Sequence, residues 1–147
     1  MNVALVGCGR IKALRPTAAR ALYTQSDVFN GRVRWAEKNC HEWWVLSGAK
    51  GLVHPNTIIE PYEVDLKRVR MAYRQAWAAI VLNQLDNLYF TAYMDLTFHI
   101  MAGEFYWGYG LQRGLSERGA KVMLPEEGLT YFQLRSRYTS PKWGGHA

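Results

Sequence analysis

Hydrophobic positions along this chain switch between two periods. Asn2 to Val6 is a short apolar run ending in Gly7-Cys8-Gly9, the pattern of a buried strand that runs into a glycine turn. Trp43 to Leu46 and Lys121 to Leu124 read as further strands, the second closed by Pro125. Between Tyr89 and Met101 the clearest strand is Leu96 to Met101, ahead of Ala102-Gly103. Helical spacing fills the intervals. Apolar residues recur irregularly from Thr17 to Lys38, which predicts one or two helices broken near Asn30-Gly31. Val64 to Leu85 carries a stripe of Leu66, Val69, Tyr73, Trp77, Ile80 and Val81, with Lys67, Arg68, Arg70 and Arg74 largely off it. Asn83 to Asn87 reads as a turn. Glu104 to Arg118 predicts a helix stopped by Gly119, and Leu129 to Tyr138 a last short one.

Strands that alternate with helices predict a three-layer α/β domain over residues 1–138, with a mostly parallel sheet of about four strands and right-handed crossovers. The remaining residues, 139–147, read as a flexible tail. In such sheets ligands bind beyond the carboxyl ends of the strands. The turns at Gly7-Cys8-Gly9, Ser47-Gly48, Gly103 and Pro125 are therefore expected to gather along one edge.

Composition narrows the partner. The 147 residues carry a net charge of +6, which favours an anion such as a nucleic acid or nucleotide. Six Trp and nine Tyr exceed what a core of this size uses, so some rings are expected to serve recognition. Two cysteines, Cys8 and Cys40, make a disulfide scaffold an unsuitable reading and point to a reducing compartment. The start MNVALVGCGR lacks a signal peptide's basic head and long apolar run, and no stretch is apolar enough to cross a membrane. The expected location is the cytoplasm.

The candidate chemistry falls on the connections. In "GCGRIK", Gly7, Cys8 and Gly9 let backbone N–H groups approach an anion, and Arg10 and Lys12 add charge. The motif is not a Walker loop and lacks the third glycine of a dinucleotide fingerprint. Cys8 reads as a nucleophile or, more simply, as a small residue packed at a strand end. Downstream, "SGAKG" (Ser47 to Gly51) precedes "IIEPYE", where Glu60 and Glu63 flank Pro61-Tyr62. Proline restrains both itself and its predecessor, so these carboxylates are held. A held carboxylate near Lys50 and Tyr62 suits general acid–base work; Glu63 reads equally as a charge at a helix N-terminus. "AGEFYWGYG" sets Glu104 and Tyr106 just after Gly103, where Tyr106 suits stacking on a base or plain core packing. The four histidines are scattered, so neither a metal nor another cofactor is expected. His99 reads as a core histidine with a hydrogen-bond partner. The Lys67, Arg68, Arg70 and Arg74 set is a solvated face unless it adjoins the strand-end pocket.

The order of these motifs resembles an uncharacterised family of small bacterial and phage domains. Its shared residues fall here on Gly7, Cys8, Lys12, Tyr23, Phe29, Ser47, Gly51, Pro61, Tyr62, Glu63, Gly103, Tyr106, Pro125 and Gly128. The segment "LSGAKGLVHPNTIIEPY" is also similar to the YaaA family, which is associated with peroxide stress and DNA binding. A fainter likeness joins the Cys8–Lys12 turn to a domain of archaeosine synthases, which modify a base in transfer RNA. The chain departs from the family at Gly48-Ala49-Lys50-Gly51, where the lysine is displaced by one and an aromatic is lost. The resemblance implies the same α/β fold with a strand-end pocket.

Together these readings lead to an enzyme acting on a nucleobase or N-glycosidic bond, a glycosidase or base-modifying transferase. Glu60, Glu63, Tyr62 and Lys50 are its candidate catalytic residues. Gly7, Cys8, Gly9, Arg10, Lys12, Ser47, Gly48, Gly103, Glu104 and Tyr106 are its candidate substrate contacts. The competing readings are a non-catalytic DNA-binding or stress module, and an interaction protein with a vestigial pocket. Substrate identity and oligomeric state are not encoded in any motif.

Overall fold

A computed structural model describes residues 1–8, 15–22, 26–61 and 64–143. Among them, five strands form the main sheet: β1 (Asn2–Gly7), β3 (Glu42–Ser47), β4 (Gly51–Val53), β6 (Thr97–Met101) and β7 (Lys121–Met123). Their order is β4-β3-β1-β6-β7; β3, β1, β6 and β7 are parallel, and β4 folds back antiparallel on β3. A separate antiparallel pair joins β2 (Thr17–Ala18) to β5 (Ile58–Ile59). The fold is the expected α/β type, with the extra strand supplied by the hairpin back from β3.

Both faces of β1 are covered, which is why its sequence is continuously apolar rather than alternating. Val3 and Leu5 point into one core with α3 (Met71–Tyr89) and α5 (Leu111–Glu117). Ala4 and Val6 point into the other, with α2 (Asp27–Asn39) and α6 (Tyr131–Thr139). Helix α3 turns Trp77, Ala78, Val81 and Leu85 to the sheet, an apolar stripe at helical spacing. The short α1 (Ala19–Leu22) precedes α2, which starts at Ser26, whose hydroxyl accepts the Phe29 N–H at 3.2 Å.

Several boundaries differ from the sequence pattern, each for a local reason. Helix α2 runs unbroken through Asn30-Gly31, because Gly31 lies against the Tyr138 side chain and a Cβ there has no space. Helix α3 begins at Met71, not Val64. In the segment before it, Asp65 Oδ1 accepts the Lys67 N–H at 3.0 Å, a local bond that competes with helix formation. Asn83 to Asn87 is helical: Gln84 spends its amide on β4, accepting Leu52 N–H at 2.7 Å and donating to Leu52 O at 3.2 Å. The helix expected from Glu104 is split into α4 (Glu104–Trp107) and α5 by Gly110, whose φ of +132° only glycine adopts easily. Gly119, with φ +96°, does end α5. Beyond α6, Pro141–Trp143 form a 3-10 turn whose Trp143 ring stacks on Trp35, so the packed chain extends past residue 138.

Candidate functional site

The strand order places a reversal beside β1. From β1 the chain crosses to β3 on one side, then returns through α3 to β6 on the other. In open parallel sheets that reversal leaves a crevice at the carboxyl ends of the two strands flanking it. A cavity of about 690 Å³ opens there, with Cys8 from the end of β1 and Gly103 and Tyr106 from beyond β6 in its wall. This volume falls in the range that holds one small ligand, ~300–1,000 Å³.

Among the described residues, the floor is aromatic and polar, and its charged member, Arg32, is paired. Cys8 Sγ and Tyr106 Oη lie 3.0 Å apart in a hydrogen bond whose donor is either group. The Tyr106 ring meets Trp77 edge to face at 5.6 Å, and the Trp77 indole donates to Ser47 O at 2.8 Å. One rigid relay thus ties the ends of β1, β3 and β6. Phe105 adds a second ring to the wall.

Behind this floor lies a buried charge pair. Arg32 of α2 donates through Nε to Glu126 Oε2 at 2.7 Å and through Nη2 to Oε1 at 2.6 Å. Its Nη1 donates to Gly7 O at 3.1 Å, and Tyr138 Oη donates to Glu126 Oε2 at 2.6 Å. Burial opposes the Arg32 charge, but the attraction and hydrogen bonds of Glu126 outweigh it and hold the guanidinium pKa above its ordinary value. Burial, then the Glu126 carboxylate, pushes the Tyr138 phenol up, so it stays protonated and donates. Arg32 is part of the cavity wall, yet its charge is spent on Glu126.

The rim is cationic. Lys67 and Arg68 come from the segment before α3, and Arg135 and Tyr131 from α6. Asp65 and Asp27 lie with them, Asp65 3.5 Å from Arg68 and Asp27 3.4 Å from Arg135, in exposed pairs. Among the described residues, three rim cations therefore face two carboxylates. Arg74 fixes one side: Nε donates to Leu66 O at 2.6 Å and Nη2 to Lys67 O at 2.8 Å. Its guanidinium also lies over Phe105 at 4.7 Å and Tyr109 at 4.9 Å.

Of the residues singled out by sequence, the structure brings Cys8, Gly103 and Tyr106 into the cavity wall, with Gly7 buried directly behind. Ser47 and Gly48 are buried at the neighbouring strand end. Ser47 Oγ accepts the Lys50 N–H at 3.0 Å, while the Lys50 side chain is exposed. Glu104 is exposed in the first turn of α4, and Glu60 is exposed after β5. Gly9, Arg10, Lys12, Tyr23, Tyr62 and Glu63 lie outside the described residues. The expected condition on the basic set is met by Lys67 and Arg68, which line the cavity, whereas Arg74 braces it.

Sequence reasoning missed Arg32, Glu126 and Tyr138. The signal available was a pair of glutamates directly after Pro125 at a strand end, but nothing local announces which arginine a buried carboxylate will meet. His99 is half-buried with Nε2 3.0 Å from Asn2 Oδ1, as a core histidine requires. Neither Cys8 nor Cys40 is in a disulfide. Among the described residues, no group of three or more His, Cys, Asp or Glu is placed to hold a metal ion, and no helix is long and apolar enough to cross a membrane.

The DUF6884 family model, a family of unknown function, matches residues 3–139, and the chain belongs to that family. No curated protein and no solved structure matches it.

Proposed function

We propose that this member of the DUF6884 family is an enzyme acting on a nucleobase or N-glycosidic bond, with its nucleic acid or nucleotide held in the strand-end cavity. The observation that carries the reading is the pairing of an aromatic floor with a cationic rim at the sheet's reversal. A base is planar and uncharged and stacks on rings, while its phosphate needs cations a few ångströms away. The likeness of the Ser47–Tyr62 segment to YaaA proteins, and of the Cys8–Lys12 turn to a base-modifying domain of archaeosine synthases, supports the same substrate class.

The chemistry falls to the connection between β5 and α3. Cleaving or exchanging a base develops positive charge on the sugar and needs a proton at the leaving nitrogen. Glu60 and Glu63, which flank Pro61-Tyr62 in the sequence, are the carboxylates proposed for those tasks, with Tyr62 and Lys50 as candidate partners. From the sequence, Gly9, Arg10 and Lys12 are the residues proposed to add phosphate contacts. Base release or exchange is measured on DNA, RNA and nucleotides with the wild type, Glu60→Gln and Glu63→Gln. Loss in at least one variant is expected; equal activity in all three refutes the carboxylate assignment.

The rim favours one second reading, a DNA-binding module without catalysis. It requires binding that weakens steeply with salt and ignores both glutamine substitutions.

A further inference from the structure

Resting on that reading of the cavity, we infer that the site takes a single unpaired nucleotide of a nucleic-acid strand, out of any base stack, with its phosphate on Lys67, Arg68 and Arg135. The geometry argues against a paired base. In a duplex each base offers only its edges to a protein, because both faces are covered by neighbours. Among the surfaces this cavity offers are three ring systems: Tyr106 and Phe105 in the wall, and Tyr131 at the mouth, 64 % exposed at the first position of α6. Those surfaces reward a base only when its face is free. The cavity's volume of about 690 Å³ is in the range that takes one such group.

Charge sets the orientation. Arg32 in the wall is neutralised by its two bonds to Glu126, so a phosphate gains nothing by going deep. The attraction lies outside, where Lys67 makes no ion pair among the described residues and Arg68 and Arg135 hold only exposed, long pairs at 3.5 and 3.4 Å. Such pairs exchange readily for a phosphate. The base enters and the backbone stays at the rim. The backbone of Leu66 and Lys67, tied to Arg74, keeps that rim in place before the ligand arrives.

The test is fluorescence anisotropy with the full chain and four labelled probes: a short single strand, a perfect duplex, a duplex with one bulged nucleotide, and a mononucleotide. Each is titrated over a range of salt. The single strand and the bulged duplex are expected to bind about tenfold or more tighter than the perfect duplex, which must first unstack a base. Lys67→Ala with Arg68→Ala and Arg135→Ala is expected to lower the salt slope on the single strand by about 0.7, the contribution of the one phosphate no longer neutralised. These side chains are at the rim rather than in the core, and circular dichroism checks that the variant is folded. A perfect duplex bound as tightly as the single strand, or an unchanged salt slope, overturns the inference. Binding of the mononucleotide alone overturns the strand requirement while leaving the wider functional reading intact. No binding by any probe overturns both.

Discussion

Replacing Glu126 by glutamine removes one charge and almost no volume, at a position only 4 % exposed. The carboxylate accepts three donors: Arg32 Nε at 2.7 Å, Arg32 Nη2 at 2.6 Å and Tyr138 Oη at 2.6 Å. A glutamine has one oxygen. Whichever way its amide turns, one Arg32 N–H meets an N–H instead of an acceptor. Removing one partner of a buried ion pair costs ~3–5 kcal/mol, because the surviving charge keeps its desolvation penalty. The amide preserves part of the network, so the lower end, about 3 kcal/mol, is expected. Against the ~5–15 kcal/mol that holds a domain folded, this is a large fraction. It corresponds to a loss of about 6–12 °C in Tm for a chain of this length. Urea unfolding followed by tryptophan fluorescence gives the value directly. Arg32→Met should cost a similar amount, stranding the carboxylate instead. Combining the two leaves no buried charge, so the double variant should be more stable than the sum of the singles allows, by about 2 kcal/mol or more. Additivity within ~0.5 kcal/mol refutes the argument, since it means the two charges do not depend on each other.

The remaining expectations are independent of that pair. Gly31→Ala forces a methyl into the Tyr138 ring and should cost at least ~1–3 kcal/mol in the same unfolding assay, although alanine is the better helix former. Arg74→Lys loses the fork that grips two carbonyls and covers two rings, so amide exchange over residues 65–69 should quicken while Tm changes little; unchanged exchange refutes the bracing role. Burial lowers the His99 pKa below its ordinary 6.5, so the unfolded chain takes the proton first. Stability present above pH 6.5 should therefore fall as pH drops through the folded value, and His99→Asn should flatten that part of the Tm–pH curve. Burial pushes the Cys40 thiol up to about 11, so its alkylation, followed by mass spectrometry, should quicken roughly tenfold per pH unit between pH 8 and 10.

The four parallel strands were legible because each is a short run with a breaker behind it, whereas β4 and the β2–β5 pair, two or three residues long, carry no such pattern. Asn2–Gly7 carries its own burial on both faces, and no tertiary fact was needed to place it. The helix limits were less legible, since they turn on long-range partners. Asp65 and Arg74 hold the segment before Met71 out of the helix, and Gln84 keeps the helix going through polar residues by bonding β4. The same division governs the cavity. Cys8, Gly103 and Tyr106 follow strand ends, so the topology rule finds them. Arg32 and Glu126 are separated by 94 positions, and only the packed fold makes them a pair.

Of the strands in the main sheet, the one synthesised earliest is also the middle of the finished structure. Its partner on one side, β3, follows within about 40 residues, but Asn2 to Val6 wait for Thr97 to Met101 on the other. Pairing of such separated segments is intrinsically slow, because the intervening chain must be organised before the contact returns anything. A nascent chain halted before residue 97 therefore exposes one flank of β1 as a bare, wholly apolar edge, open to strand capture by another copy. Functional assembly and protection from aggregation are thus completed by the same late event, the docking of β6.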